Sequence, residues 1–302
     1  MKVGIFYTSI TNWSQSPPKI AVMKDFGQGV KACGDMIEEF KDSYKKISQI
    51  DAAFILGYAH AGARFNLIQS LVKKNIPIIY IDSDIFVYGK AAVKCYRYSV
   101  NGIFPSDGEY FLHLPYDRQK TVRILELHNI RMKPWRQNGS HILILGQRTH
   151  GWNMLGNNGL SWIIETIKKI KQYTDRPVVV RLHPGDQDNK SNMQKIKNIF
   201  NDSVQISRSD NLLTDLNNAW CSVGYSSTPN CASIIEGIPV YLDRPDISWA
   251  KDMAFTDLSK IEKPTMNDRD LWINKIAHIH YMDDEIISGV YWKRYKDFYS
   301  TL

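Results

Sequence analysis

Short apolar runs recur along this chain, each closed by a glycine, proline or aspartate turn and separated from the next by a stretch of helical spacing. A run that is apolar at every position has no wet face, so it belongs to a strand covered on both sides. Residues 3–8, 52–57 and 76–81 are such runs in the first half, with helical spacing over 20–33 and 65–74 between them. The second half repeats the order more fully: strands over 141–145, 178–182, 204–207, 221–223 and 239–242 alternate with helices over 160–173, 192–200, 212–219 and 231–236. Alternation of this kind predicts parallel sheets wrapped by helices on both faces. The chain of 302 residues is long for one such unit and natural for two.

The fold class expected is therefore α/β, with two Rossmann-like doubly wound domains facing a cleft. Residues 1–135 form the first and 136–302 the second, the boundary lying in the irregular stretch that ends in Lys133-Pro134-Trp135. Residues 268–299 read as mostly helical and carry Trp272, Tyr281, Tyr291, Trp292, Tyr295 and Phe298. So aromatic a tail must pack on something, and it is expected to fold back toward the first domain.

Several classes of function are disfavoured. No apolar run approaches the roughly 20 residues of a membrane span, and the N-terminal MKVGIFYTSI reads as a first strand rather than a signal peptide. A cytoplasmic location, no membrane partner and a monomer are the expectations. Cys33, Cys95, Cys221 and Cys231 show no CxxC pairing or metal spacing, so no metal site is expected. There is no GxxxxGK[ST] string, and residues 151–159 do not make GxGxxG, which argues against a P-loop enzyme and a standard dinucleotide fold.

The net charge of +7 favours a polyanionic partner or an anionic membrane surface. Basic residues concentrate between Lys90 and Arg136, among them Lys94, Arg97, Arg118, Lys120 and Arg123, with Tyr96, Tyr98 and Phe104 interleaved. A groove that tracks phosphates while aromatics stack on bases has this composition. So does a solvated face beside a small core.

In an open α/β sheet ligands sit beyond the C-terminal ends of the strands. Three loops of the second half end there. Gly224-Tyr225-Ser226-Ser227-Thr228-Pro229 follows a strand and opens a helix, and one hydroxyl would suffice for a cap where three stand in a row. Arg181-Leu182-His183-Pro184 sets a cation and an imidazole on one side of a strand end, with a carboxylate pair and a turn cap as their ordinary alternatives. Gly146-Gln147-Arg148 ends the first strand of this half, where the arginine fork suits a diphosphate. In the first half, Asp82, Asp84 and His60 end strands or line loops, and each is a candidate general base.

These segments resemble the GT-B glycosyltransferases. The likeness lies in Arg181-Leu182-His183-Pro184 and in Ser226-Ser227-Thr228 followed by Glu236-Gly237-Ile238-Pro239-Val240, which are similar to the paired HP and S motifs of bacterial capsule and sialic-acid transferases. Further strings resemble phage-encoded transferases that modify DNA: Tyr96-Arg97-Tyr98-Ser99-Val100-Asn101-Gly102, Lys133-Pro134-Trp135, Gly146-Gln147-Arg148, and Asp284-Glu285-Ile286-Ile287-Ser288-Gly289 before Trp292. The resemblance implies a metal-independent glycosyltransferase without a prosthetic group. Its nucleotide-sugar donor, UDP-linked, would lie on Gln147, Arg148, Arg181, His183, Tyr225, Ser226, Ser227 and Thr228. It also implies that the first domain binds the acceptor. Many GT-B enzymes hold the donor ribose with a glutamate where this chain has Ala232, and Glu236 one turn later is the substitute.

The acceptor implied by the phage-like strings is a hydroxymethylated base in double-stranded DNA, flipped out and held through Lys90, Lys94, Arg97, Tyr98 and Asn101. Two other readings remain open at this stage. One is a transferase of surface polysaccharide or lipid-linked sugar; the other is a nucleotide-binding module that senses rather than reacts.

Overall fold

The computed structural model describes residues 1–10, 16–41, 47, 49–86 and 95–300. In chain order the elements are β1 (Lys2–Phe6), α1 (Pro17–Ala32), β2 (Met36–Phe40), β3 (Ala52–Leu56), α2 (Gly62–Lys73), β4 (Ile78–Asp82), β5 (Cys95–Val100) and α3 (Arg118–Leu127). They continue with β6 (His141–Leu145), α4 (Gly159–Ile170), β7 (Val178–Arg181), α5 (Asn189–Phe200), β8 (Val204–Ile206), α6 (Leu212–Leu216), β9 (Ala219–Gly224), α7 (Pro229–Ile235) and β10 (Val240–Leu242). The chain ends with β11 (Ala254–Phe255), α8 (Asp270–His278), β12 (His280–Met282), α9 (Asp283–Ile287) and α10 (Val290–Tyr299).

The residues cluster into two compact units. One comprises Met1–Asp84, Ala92–Val122 and Asn274–Leu302; the other comprises Ile85–Ala91 and Arg123–Ile273. This differs from a single crossing at 135, because the C-terminal segment is an integral part of the first unit.

The first unit carries a six-stranded sheet in the order β12-β5-β4-β3-β1-β2. β1 to β4 run parallel, β5 is antiparallel to β4, and β12 is antiparallel to β5. Its core is aromatic: Phe26 stacks on Phe54 at 3.9 Å between centroids, and Tyr98 lies 5.0 Å from Tyr291. Trp292 and Tyr295 stack at 4.7 Å and are fully buried. The aromatic C-terminal segment has found its cover in this core. Large rings of this kind contribute the most burial per residue.

The second unit is an all-parallel sheet in the order β11-β10-β9-β6-β7-β8. Alternate residues of β6 face opposite helix layers, as the period of two requires. Ile142 and Ile144 pack with Ile163, Ile167 and Ile196 from α4 and α5. Leu143 and Leu145 pack with Leu212, Leu216 and Ala232 from α6 and α7. Each such buried aliphatic side chain contributes about 1.5–3 kcal/mol by removal from water.

Strand order sets where a ligand belongs. The chain builds outward from β6 through β7 to β8, then returns to place β9 on the other side of β6. β6 and β9 therefore flank the switch point of this sheet, and the loops that follow them are where ligands of open α/β sheets bind. All four cysteines are free thiols, and Cys95, Cys221 and Cys231 are buried. Among the described residues no helix is long and apolar enough to cross a membrane.

Candidate functional site

At this switch point Leu145 of β6 sits in register with Gly224 of β9. The two following loops are joined by Gln147, whose Nε2 donates to Ser226 Oγ at 2.9 Å. Gly224 is required here by close approach, since a Cβ would collide with the Asn230 amide. Asn230 is fully buried; its Nδ2 donates to the Ser227 carbonyl at 2.9 Å and so pins the loop to the start of α7. Thr228 stands at the N-cap position without a side-chain capping bond. Among the described residues the Ser227 and Thr228 hydroxyls have no protein partner, so the capping alternative does not account for them.

The turn after β7 brings the second group. The backbone N–H of Gly185 donates to His183 Nδ1 at 3.0 Å. That bond makes Nδ1 an acceptor and leaves the proton of the neutral ring on Nε2. Burial first, and then the positive charge of Arg148, push the His183 pKa below its ordinary value, against the pull of Asp186. The ring is neutral at pH 7 and offers Nε2–H as a donor. Arg148 is exposed, and among the described residues no carboxylate pairs with it. Its guanidinium lies against Gly185, where a Cβ would come within 2.9 Å of Nη2.

Asp186 locks these pieces together. Its Oδ2 accepts from Thr149 N at 2.9 Å and from Thr149 Oγ1 at 2.7 Å, and Asn192 donates to Thr149 Oγ1 at 2.7 Å. Burial opposes ionisation of Asp186, but these hydrogen bonds outweigh it and lower the pKa. The His183–Asp186 turn is thus tied to the loop that carries Arg148. Sequence reading missed Asp186 and Asn192, because a carboxylate in a turn looks like any other turn residue.

Several expected ligand residues are instead structural. Arg181 pairs with Asp215 and donates to the Ser209 carbonyl at 2.7 Å, so its charge is spent inside the unit. Tyr225 is buried; its hydroxyl donates to the Met154 carbonyl at 3.2 Å and accepts from Asn157 at 3.0 Å. It braces the loop after β6. Glu236 forms an ion pair with Lys133 at the C-terminal end of α7. Seven helical residues separate it from the switch loop, a rise of about 10 Å along α7.

The candidates in the first unit fare similarly. Asp82 forms an ion pair with Arg97 at 2.7 Å, and Asp84, 8% exposed, lies 3.3 Å from His280 Nε2. His280 is itself buried and donates through Nδ1 to the Ile276 carbonyl at 2.6 Å. His60 is exposed in the loop after β3. Arg97 and Tyr98 do not line a groove: they are 5% and 2% exposed, within the sheet and its aromatic core. Asn101 has φ 63° and accepts from Ile78 N at 2.9 Å, a turn role. Lys90 and Lys94 lie outside the described residues.

Beside the switch point a hollow of about 400 Å³ opens between the starts of α4 and α5, lined by Thr149, His150, Asn158, Ser161, Asn192 and Lys195 among others. A wider one, about 720 Å³, runs along α5 and the edge strand β8 past Lys197 and Arg208.

No protein-family model matches the chain, and comparison with curated proteins finds no match. Two solved structures share its fold over nearly the whole length. One is "Thermosulfurimonas dismutans KpsC, beta Kdo 2,4 transferase", with 12% identity and a TM-score of 0.59 over 95% of this chain and 98% of that one. The other is "Thermosulfurimonas dismutans KpsC, beta Kdo 2,7 transferase", with 12% identity and a TM-score of 0.55 over 97% of this chain and 100% of that one. At such identity the likeness establishes the fold: two α/β units with parallel-rich sheets.

Proposed function

We propose that the chain is a glycosyltransferase whose second unit holds a nucleotide-sugar donor at the β6–β9 switch point. The observation that supports the reading is that the Gln147–Ser226 bond ties the loop carrying Arg148 to the loop carrying Ser227 and Thr228, while Arg148 itself, unpaired among the described residues, lies against Gly185 in the turn of the neutral His183. As the bond from the anomeric carbon to the phosphate oxygen breaks, the electron pair moves onto the departing phosphate. Fixed donors aimed at that growing charge lower the barrier. The acceptor hydroxyl oxygen forms the new bond to the anomeric carbon and gives its proton to a base.

A saccharide acceptor is favoured over DNA. Two structures similar over nearly the full length are sugar transferases by name, and Arg97 and Tyr98, which motivated a DNA surface, are core residues. The test is incubation with a panel of nucleotide sugars together with oligosaccharide acceptors and hydroxymethylated DNA, read by mass spectrometry. Consumption of one donor with a sugar-sized gain on an oligosaccharide is the expected result. Gain on DNA restores that acceptor, and a protein that neither binds nor consumes any nucleotide sugar overturns the reading.

A further inference from the structure

Gln147 is hydrogen-bonded at one end and bare at the other. It is 3% exposed, its Nε2 donates to Ser226 Oγ, and its Oε1 has no hydrogen-bond partner among the described residues. Turning the amide end for end does not cure the deficit. Ser226 would then donate to Oε1, and the NH2 group would be left bare instead. A buried amide atom left unmet costs more than a made bond returns, so native structures rarely tolerate one. Beside the switch point of an open α/β sheet, a bound molecule is the natural partner.

The neighbours decide which end meets it. The Arg148 guanidinium, the His183 Nε2–H and the Ser227 and Thr228 hydroxyls already give an anion its donors. A nucleotide sugar also carries hydroxyls, which a fixed carbonyl acceptor suits. With Nε2 committed to Ser226, the carbonyl end of Gln147 provides one. We infer that Gln147 is a specificity-determining residue: its Oε1 accepts a hydrogen bond from a hydroxyl of the bound nucleotide sugar, carried either by the ribose or by the transferred sugar. The inference rests on the donor-site reading above and adds a requirement to it. A ligand with phosphates alone satisfies the cations and leaves Gln147 unmet.

Calorimetric titration of the full chain tests this with four probes: pyrophosphate, the nucleoside diphosphate of the donor that binds best, its 2′-deoxy counterpart, and the whole nucleotide sugar. Each is measured on the natural protein, Gln147→Leu and Gln147→Glu, with thermal melts confirming that the variants fold. In the natural protein the hydroxylated ligand binds about tenfold or more tightly relative to its deoxy or phosphate-only partner. Gln147→Leu abolishes that ratio while pyrophosphate affinity stays within about twofold. Gln147→Glu, which keeps an acceptor and lets Ser226 donate, preserves the ratio even where its charge weakens every ligand.

A ratio that appears between the nucleoside diphosphate and its deoxy form assigns the contact to the ribose. One that appears only with the whole nucleotide sugar assigns it to the transferred sugar. Equal loss of pyrophosphate and nucleotides in Gln147→Leu overturns the inference, since the amide nitrogen then faces phosphate. An unchanged ratio in Gln147→Leu also overturns it, and in both cases the donor site stands. Failure of all four probes to bind the natural protein removes the donor site and the inference together.

Discussion

The carboxyl ends of the two sheets have similar charged residues and treat them in opposite ways. In the first unit the charged groups are engaged internally: Asp82 pairs with Arg97, and Asp84 lies 3.3 Å from the buried imidazole of His280. In the second unit Arg181 is cancelled by Asp215, but Arg148 one strand away is unpaired among the described residues, and His183 is held neutral beside it. Removing a charge from water is tolerable only with a partner in place, so a paired cation serves the fold and an unpaired one is available to a ligand. Residue type did not separate the two kinds of arginine. Their partners did.

The sharpest way to break this comparison is His183→Ala. Loss of one fixed donor to a growing negative charge should lower kcat by roughly 10²–10³, with little change in the melting temperature. Steady-state kinetics and calorimetric melts on one preparation decide it; parallel loss of fold and turnover returns His183 to a turn role. Next comes the arginine pair. Arg181→Met leaves the nearly buried Asp215 carboxylate without a counter-charge, with only the Ser207 hydroxyl donating to it, which should cost about 3 kcal/mol of stability by chemical denaturation. Arg148→Met should cost less than about 0.5 kcal/mol, yet weaken donor binding about tenfold or more. A stability loss of equal size in both variants would erase the distinction.

Asp186 gives a smaller effect with an internal control. Asp186→Ala frees the Thr149 N–H and hydroxyl and should cost about 2 kcal/mol along with donor affinity. Asp186→Asn retains an acceptor for Thr149 and should recover most of both. An asparagine variant as damaged as the alanine one would mean that the charge, rather than the tie to Thr149, matters.

The mildest effect is on acid stability. His141, His183, His278 and His280 all have pKa values lowered, each by burial first, and His278 is pushed down to about 4. As pH falls through about 6.5 the unfolded chain takes up protons that the folded chain refuses. Stability therefore declines from pH 6.5 toward 4, and His278→Gln should flatten that decline. A flat profile in the natural protein over this range would contradict these directions.

How much of this was legible in the sequence follows from how each element is held. Strands buried on both faces announce themselves as apolar runs, and β1, β3, β4, β6, β7, β9 and β10 all stand where such runs lie. β2 did not: Met36–Phe40 includes Glu38 and Glu39, and its exposed, mixed pattern is that of an edge strand. β5 and β12 were hidden for a different reason. Cys95-Tyr96-Arg97-Tyr98 looks like a basic aromatic surface until Asp82, 15 residues away, supplies the counter-charge and β12 supplies the neighbouring strand. The three site loops were visible because their glycines, hydroxyls and histidine follow strand ends directly. Which arginine is spent was not visible, since Asp215, 34 positions after Arg181, meets it only in the fold.

The central claim is that the crevice between the loops after β6 and β9 holds the donor. The most direct measurement is a nitrogen–proton NMR titration with the nucleotide sugar that the transferase assay selects. Shifts should concentrate on the Gln147 side-chain amide and on the backbone of Arg148, His183, Gly185, Ser226, Ser227 and Thr228. Shifts centred instead on residues around Asp82, Asp84 and His60, with the Gln147 amide unmoved, would contradict the account.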